Sequence, residues 1–158
     1  MGSAYLRYSF TKGTEQEVDF LVEVLGLEPG MRVLDVGCGP GRHAHALGRR
    51  GIESHGVDIS ARFIDLARQD APAGVTFERL DARHLPFDGR FDTVISLCQG
   101  AFGLTDGDRA GDSVLDPDGA VLDGMARAVV PGGAVALSAF SAYYQVRWLD
   151  PDRGSFDA

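Results

Sequence analysis

The chain has 158 residues, 44% of them hydrophobic and 24% charged, the make-up of one globular domain and not of a disordered segment. Its 15 Lys and Arg stand against 23 Asp and Glu, a formal net charge of −8, which repels phosphate backbones and argues against a nucleic-acid partner. No apolar run approaches the roughly 18 residues of a membrane-spanning helix, and the amino terminus lacks the basic start and apolar core of a secretion signal.

The first helical pattern begins at Thr14. Thr14 and Glu17 have the spacing of a capping box; Val18, Leu21, Val22 and Leu25 recur at the helical period, and Gly26 with Pro29-Gly30 stops the run. Arg32 to Val36 reads as a short buried strand between Gly30 and Gly37. Further strands are expected at Ile52 to Val57, Val75 to Leu80, Thr93 to Leu97 and Ala134 to Phe140. Helices fall between them at Gly41 to Arg50, Ala61 to Asp70 and Gly119 to Val129. Ser60 and Asp116-Pro117 are the expected starts of the last two. Strands alternating with helices predict an α/β domain with a parallel sheet covered on both faces.

Three other features give weaker signals. Cys38 and Cys98 form neither a CxxC pair nor a disulfide framework, and read as reduced thiols of a cytoplasmic protein. His43 and His45 are two apart and would face different ways on a helix, so no metal site is expected. Gly100 to Gly119 carries five aspartates, but on a calcium-loop template begun at Asp106 the glutamate position is Pro117. A mobile acidic loop at the mouth of a site fits better.

The informative stretch is Val33-Leu34-Asp35-Val36-Gly37-Cys38-Gly39-Pro40-Gly41-Arg42. A buried strand enters a glycine turn, where positive φ and close approach of a ligand are both permitted, and a helix N-terminus follows with free amides. A nicotinamide fingerprint would place its third glycine where Arg42 stands, so the pattern is DxGxGxG and not GxGxxG. Asp58, ending the second strand, can accept from both hydroxyls of a ribose, or else serve as an ordinary turn residue before a helix. Asp81-Ala82 after the third strand offers a carboxylate to an adenine amino group, or again a plain turn.

In order and spacing these segments resemble the class I S-adenosylmethionine-dependent methyltransferases, from about Thr14 to Phe140. The resemblance implies a three-layer, Rossmann-like fold with sheet order 3-2-1-4-5. It implies that Asp35, Gly37, Cys38, Gly39 and Gly41 cradle the methionine and ribose of S-adenosylmethionine. Asp58 would bind the ribose, Ile59 would cover the adenine, and Asp81 and Ala82 would read it. Phe91 to Ile95 is similar to the fourth strand with Leu97 to Gln99 at its functional end, and Pro131-Gly132-Gly133 to the turn before the fifth. The implied chemistry is methyl transfer from a sulfonium, with orientation and water exclusion as the protein's main tasks. No catalytic base is assigned; His84 is the one histidine to test.

Two departures refine the resemblance. Ser96 to Gly103 lacks the Asn/Asp-Pro-Pro-aromatic signature of enzymes that methylate bases or glutamine, which with the acidic charge favours a small-molecule acceptor. Only 18 residues follow Phe140, too few for the family's sixth and seventh strands. The domain is therefore expected to be short at that end, with its fifth strand a sheet edge that dimerisation could cover. Residues 1–13 resemble a lid, and Tyr5, Tyr8, Phe10, Tyr143, Tyr144 and Trp148 either complete the pocket or simply pack. The rival readings are a module that binds the cofactor without turnover, a fragment of a longer methyltransferase, and a nicotinamide-dependent oxidoreductase.

Overall fold

Five strands form one parallel sheet in the computed structural model, which describes residues 13–98, 101–102 and 116–139. In chain order the elements are α1 (Thr14–Leu25), β1 (Arg32–Val36), α2 (Arg42–Arg49), β2 (Glu53–Asp58), α3 (Ala61–Gln69), β3 (Val75–Arg79), a 3-10 turn (Ala82–His84), β4 (Phe91–Ser96), α4 (Pro117–Ala128) and β5 (Val129–Leu137). The sheet order is β3-β2-β1-β4-β5 and every pairing is parallel, as the resemblance implies. The winding direction reverses between β1 and β4, which opens a crevice at the carboxyl edge of the strands.

Neighbouring residues of a strand point to opposite faces, and two cores result. Val33 and Ile95 pack with Val18 and Leu21 of α1 and Ala46 and Leu47 of α2. Leu34 and Val94 pack on the other face with Val121, Met125 and Ala128 of α4. A third cluster sets Ile64 and Ala67 of α3 on Val75 and Phe77 of β3. Three layers follow from that alternation.

Two expectations need correction. The capping box does not form: Gly13 is the N-cap of α1, and the Glu17 amide donates to the Gly13 carbonyl at 2.9 Å. Thr14 and Glu17 bond instead to Arg42 of α2, because a guanidinium from the neighbouring helix competes for the same two oxygens. Secondly, Pro131-Gly132-Gly133 lies inside β5 and not before it. Phe91 pairs with Val129 and Thr93 with Ala134, so these three residues and Val130 make an irregularity opposite Asp92. Proline is tolerated there because β5, among the described residues, pairs on one side alone. Gly133 is required, since a Cβ at that position would stand 2.5 Å from the Asp92 carbonyl oxygen. Val135 and Leu137 are left 42% and 45% exposed on this edge strand.

The aromatic residues near both termini, residues 1–12 of the lid expected at 1–13, Gln99, Gly100 and the aspartates from 106 to 112 lie outside the described residues.

Candidate cofactor site

The site is built by backbone before side chains. Gly37, Gly39 and Gly41 have φ of 73°, 54° and 81°, a left-handed region that side chains rarely enter. These conformations fold the turn back on β2: the Gly37 and Cys38 amides both donate to the Val57 carbonyl, at 2.8 and 3.0 Å. Gly41 also sits so close to Phe77 that a Cβ would meet its ring at 2.6 Å. A Cβ at Gly39 would meet nothing within 4 Å, so the turn presents open space on that side.

Asp58 closes the turn. Its Oδ2 accepts from the Gly39 amide at 2.9 Å and its Oδ1 from the Ser60 amide at 2.8 Å. Ser60 in turn caps α3, accepting from the Phe63 amide. The carboxylate therefore serves as the turn residue the sequence allowed for and still lines the cleft, with lone pairs to spare for a diol.

That cleft is bounded by Gly37, Val57, Asp58, Ile59, Asp81 and Ala82, and by Pro117, Asp118 and Val121 from the start of α4. Ile59 stands 61% exposed at its rim, an apolar side chain free to cover a flat ring. Asp81 is less open than the sequence reading assumed. Its oxygens accept from the Arg83 amide and from Arg83 Nε and Nη2, and the Arg83 guanidinium holds its pKa below the ordinary carboxylate value. His84 is exposed, 3.9 Å from Asp81 Oδ2, and is not among the residues that line the cleft.

A smaller cavity meets the cleft at Gly37. Cys38, Gly39, Pro40 and Leu97 line it together with Arg42, His43 and Cys98. Asp35 lines neither space. It is 1% exposed beneath the turn, with Oδ2 lacking any hydrogen-bond partner among the described residues. Burial pushes its carboxyl up to about 7, Asp58 adds to the rise, and Arg42 opposes it.

Sequence reasoning missed the polar cluster on the rim of this cavity. Arg42 Nη1 donates to Thr14 Oγ1 at 2.8 Å and to Glu17 Oε2 at 2.7 Å, and Nη2 donates to Cys98 Sγ at 2.7 Å. His43 Nε2 lies 2.9 Å from the same Glu17 oxygen. Glu17, His43 and Cys98 offer donor atoms within 4.8 Å of one another, a set of metal-ligand types where none was expected. Arg42 already occupies two of the three. The contribution of α4 was legible in principle, because a helix that crosses between parallel strands starts at their carboxyl edge.

A parallel sheet of this order, with a glycine turn after β1 and a carboxylate ending β2, defines a Rossmann-like nucleotide-binding domain. The chain belongs to the methyltransferase-domain family, which matches residues 33–133. It is 34% identical over 126 residues to a ubiquinone biosynthesis O-methyltransferase of Alkalilimnicola ehrlichii, covering 77% of this chain and 46% of that protein. It is 32% identical over 121 residues to a demethylmenaquinone methyltransferase of Beutenbergia cavernae, covering 76% of this chain and 45% of that protein. Among solved structures, an S-adenosylmethionine-dependent methyltransferase from Geobacter sulfurreducens in complex with S-adenosyl-L-homocysteine is 25% identical. It has a TM-score of 0.57 and covers 77% of this chain and 47% of that one. The chain thus spans about half the length of the curated relatives it matches.

Proposed function

We propose that this chain binds S-adenosylmethionine in the cleft at Gly37 and Asp58 and belongs to an enzyme that transfers the methyl group to a small-molecule acceptor. The observation that carries the reading is Asp58, one carboxylate that braces the Gly39 amide and faces the cleft. The residues fit the cofactor on chemical grounds. Asp58 supplies acceptors for a ribose diol, Ile59 and Val121 supply apolar walls for a purine, and Gly39 leaves open space where a ligand meets the turn. When bound, the cofactor supplies a sulfonium-activated methyl group.

The chain's own residues bind and orient. The glycine turn lets the backbone approach the ligand, Asp58 fixes the ribose, and the start of α4 closes the far wall. No residue is assigned as a base, and transfer to an already ionised acceptor needs none. A small-molecule acceptor is supported by the net charge of −8, and by relatives named for ubiquinone and menaquinone biosynthesis.

The test is calorimetric titration with S-adenosylhomocysteine, with NAD as the control. Asp58→Ala should weaken S-adenosylhomocysteine about 10- to 100-fold, the worth of charge-assisted hydrogen bonds. An unchanged affinity, or preference for NAD, overturns the reading. Binding with no transfer to phenolic, amine or thiol acceptors would favour a module that binds without turnover.

A further inference from the structure

We propose that the cleft at the amino edge of the sheet is a second binding site, which takes the oxyanion group of a small molecule on Arg90 and His55. It lies at the opposite end of the strands from the cofactor cleft and does not rest on that reading.

The cleft has a volume of about 320 Å³. Its walls are the first residues of the strands: Arg32 of β1, Glu53 to His55 of β2, Thr76 of β3 and Phe91 of β4, with Arg90 just ahead of it. The register explains the opening. His55 stands beside Leu34 on one side and Thr76 on the other, so the three share one face of the sheet. Val121 and Met125 of α4 pack with Leu34 on that face, whereas Thr76 and Glu78 of β3 are exposed on it.

An aromatic wall fixes the cation. Phe87 meets the His55 ring edge-on, with centroids 5.5 Å apart, and Phe91 stacks on it at 6.2 Å. The Arg90 guanidinium carbon sits 5.4 Å from both phenyl centroids, which holds the planar group by its face and leaves its N–H edges for an acceptor. Among the described residues no side chain or carbonyl takes those edges. Arg32 at the same rim is already compensated, by Asp92 first and by Glu53 after it.

His55 supplies the second donor. Its Nδ1 lies 2.7 Å from Thr76 Oγ1, and a hydroxyl that donates there puts the ring proton on Nε2. Nε2 is buried with no hydrogen-bond partner among the described residues. A Glu78 oxygen stands 3.5 Å from it, too long for a good bond, so a carboxylate already marks the place of the anion without filling it. Glu78 is half exposed and can turn out into water. Burial first and Arg90 second hold His55 towards its neutral form, so ring and guanidinium are electrostatic neighbours. An oxyanion between them gains a cation on one side and a neutral donor on the other.

The experiment follows the backbone amide signals of the chain by NMR at fixed pH as sodium phosphate or sodium acetate is added, with sodium chloride at matched ionic strength as the control. Saturable shifts should appear at Gly74, Thr76, Arg90 and Phe91 in the millimolar range, about 1–10 mM, and not with chloride. Arg90→Gln should weaken binding about 10- to 100-fold, the worth of hydrogen bonds to a charged group. Arg62→Gln, which removes an exposed arginine on α3, should leave it within about twofold. Glu78→Gln should tighten binding about two- to fivefold, because the competing carboxylate is gone; a merely structural role gives no such gain. Arg90→Lys should keep part of the affinity, and it serves as the folded comparison should Arg90→Gln melt early.

A stronger response to phosphate identifies the group as phosphoryl and a stronger response to acetate as carboxylate; either upholds the site. The site is overturned by no saturable shift at these residues, by shifts that chloride reproduces, by equal losses in Arg62→Gln and Arg90→Gln, or by weaker binding in Glu78→Gln.

Discussion

Asp35→Asn should make the fold more stable above neutral pH and remove the loss of stability that this carboxyl imposes as pH rises. Asp35 is 1% exposed, and burial lifts its carboxyl from 3.8 to about 7. Between those values the native state holds a proton that the unfolded chain has released. Native stability therefore falls as pH climbs through that window, and the cost is complete above it. A rise of about three pKa units corresponds to roughly 4 kcal/mol at 1.36 kcal/mol per unit, a large share of a typical 5–15 kcal/mol domain stability. Asparagine keeps an oxygen for the Ala44 amide and carries no charge at any pH, so its fixed offsets do not vary with pH. Urea unfolding of both proteins from about pH 4 to 8 reads the difference directly. The variant should gain several kcal/mol on wild type across that range. Parallel profiles, or a wild type that gains on the variant as pH rises, would refute the account of a strained buried carboxylate.

His43 should tilt the profile the other way. Burial, then Arg42, lowers its pKa from 6.5, with Glu17 opposing; a base kept neutral in the native state contributes stability that is present above about 6.5 and lost as pH falls. Removing that titration with His43→Gln should flatten the acid-side loss in the same urea series, and an unaltered slope would contradict it. Gly56→Ala should destabilise by steric conflict alone, because its Cβ would stand 2.6 Å from the Phe77 ring and 2.9 Å from Cys38 Sγ. Overpacking of this kind costs about 1–3 kcal/mol, or about 2–12 °C of melting temperature for a chain of this size, and a melt within 1 °C of wild type, roughly the scatter of such measurements, would count against the packing described.

How far the fold is legible depends on how local its determinants are. Arg32–Val36 comes out to the residue, because glycines bracket it and Val33, Leu34 and Val36 carry the apolar strand signal. Asp116 accepts from the Gly119 amide at 2.9 Å ahead of Pro117, a cap whose parts lie within four residues. The start of β5 is not legible in this way. Pro131-Gly132-Gly133 has the composition of a turn, and it counts as strand only because Val129 finds Phe91 across the sheet. Thr14 and Glu17 show the same limit: their spacing is right for a capping box, and a guanidinium 28 and 25 residues away takes both.

The site divides along the same line. The glycine turn was readable because a left-handed backbone needs glycine wherever it occurs. The cluster of Thr14, Glu17, Arg42, His43 and Cys98 was not, since it is assembled from α1, α2 and the end of β4 with no spacing rule to announce it. Asp58 and Asp81 make the contrast sharpest. In the sequence both are aspartates at strand ends, each able to serve a ligand or a turn, the turn weighing more at Asp81. In the structure Asp58 accepts two backbone amides, one of them from the glycine turn itself, so any ligand it holds is coupled to the shape of that turn. Asp81 is committed to the amide and guanidinium of its own neighbour Arg83, and approaches the cleft with its charge already compensated. The two environments therefore rank them: losing Asp58 removes an anion that organises the glycine turn, whereas losing Asp81 removes a carboxylate that serves Arg83.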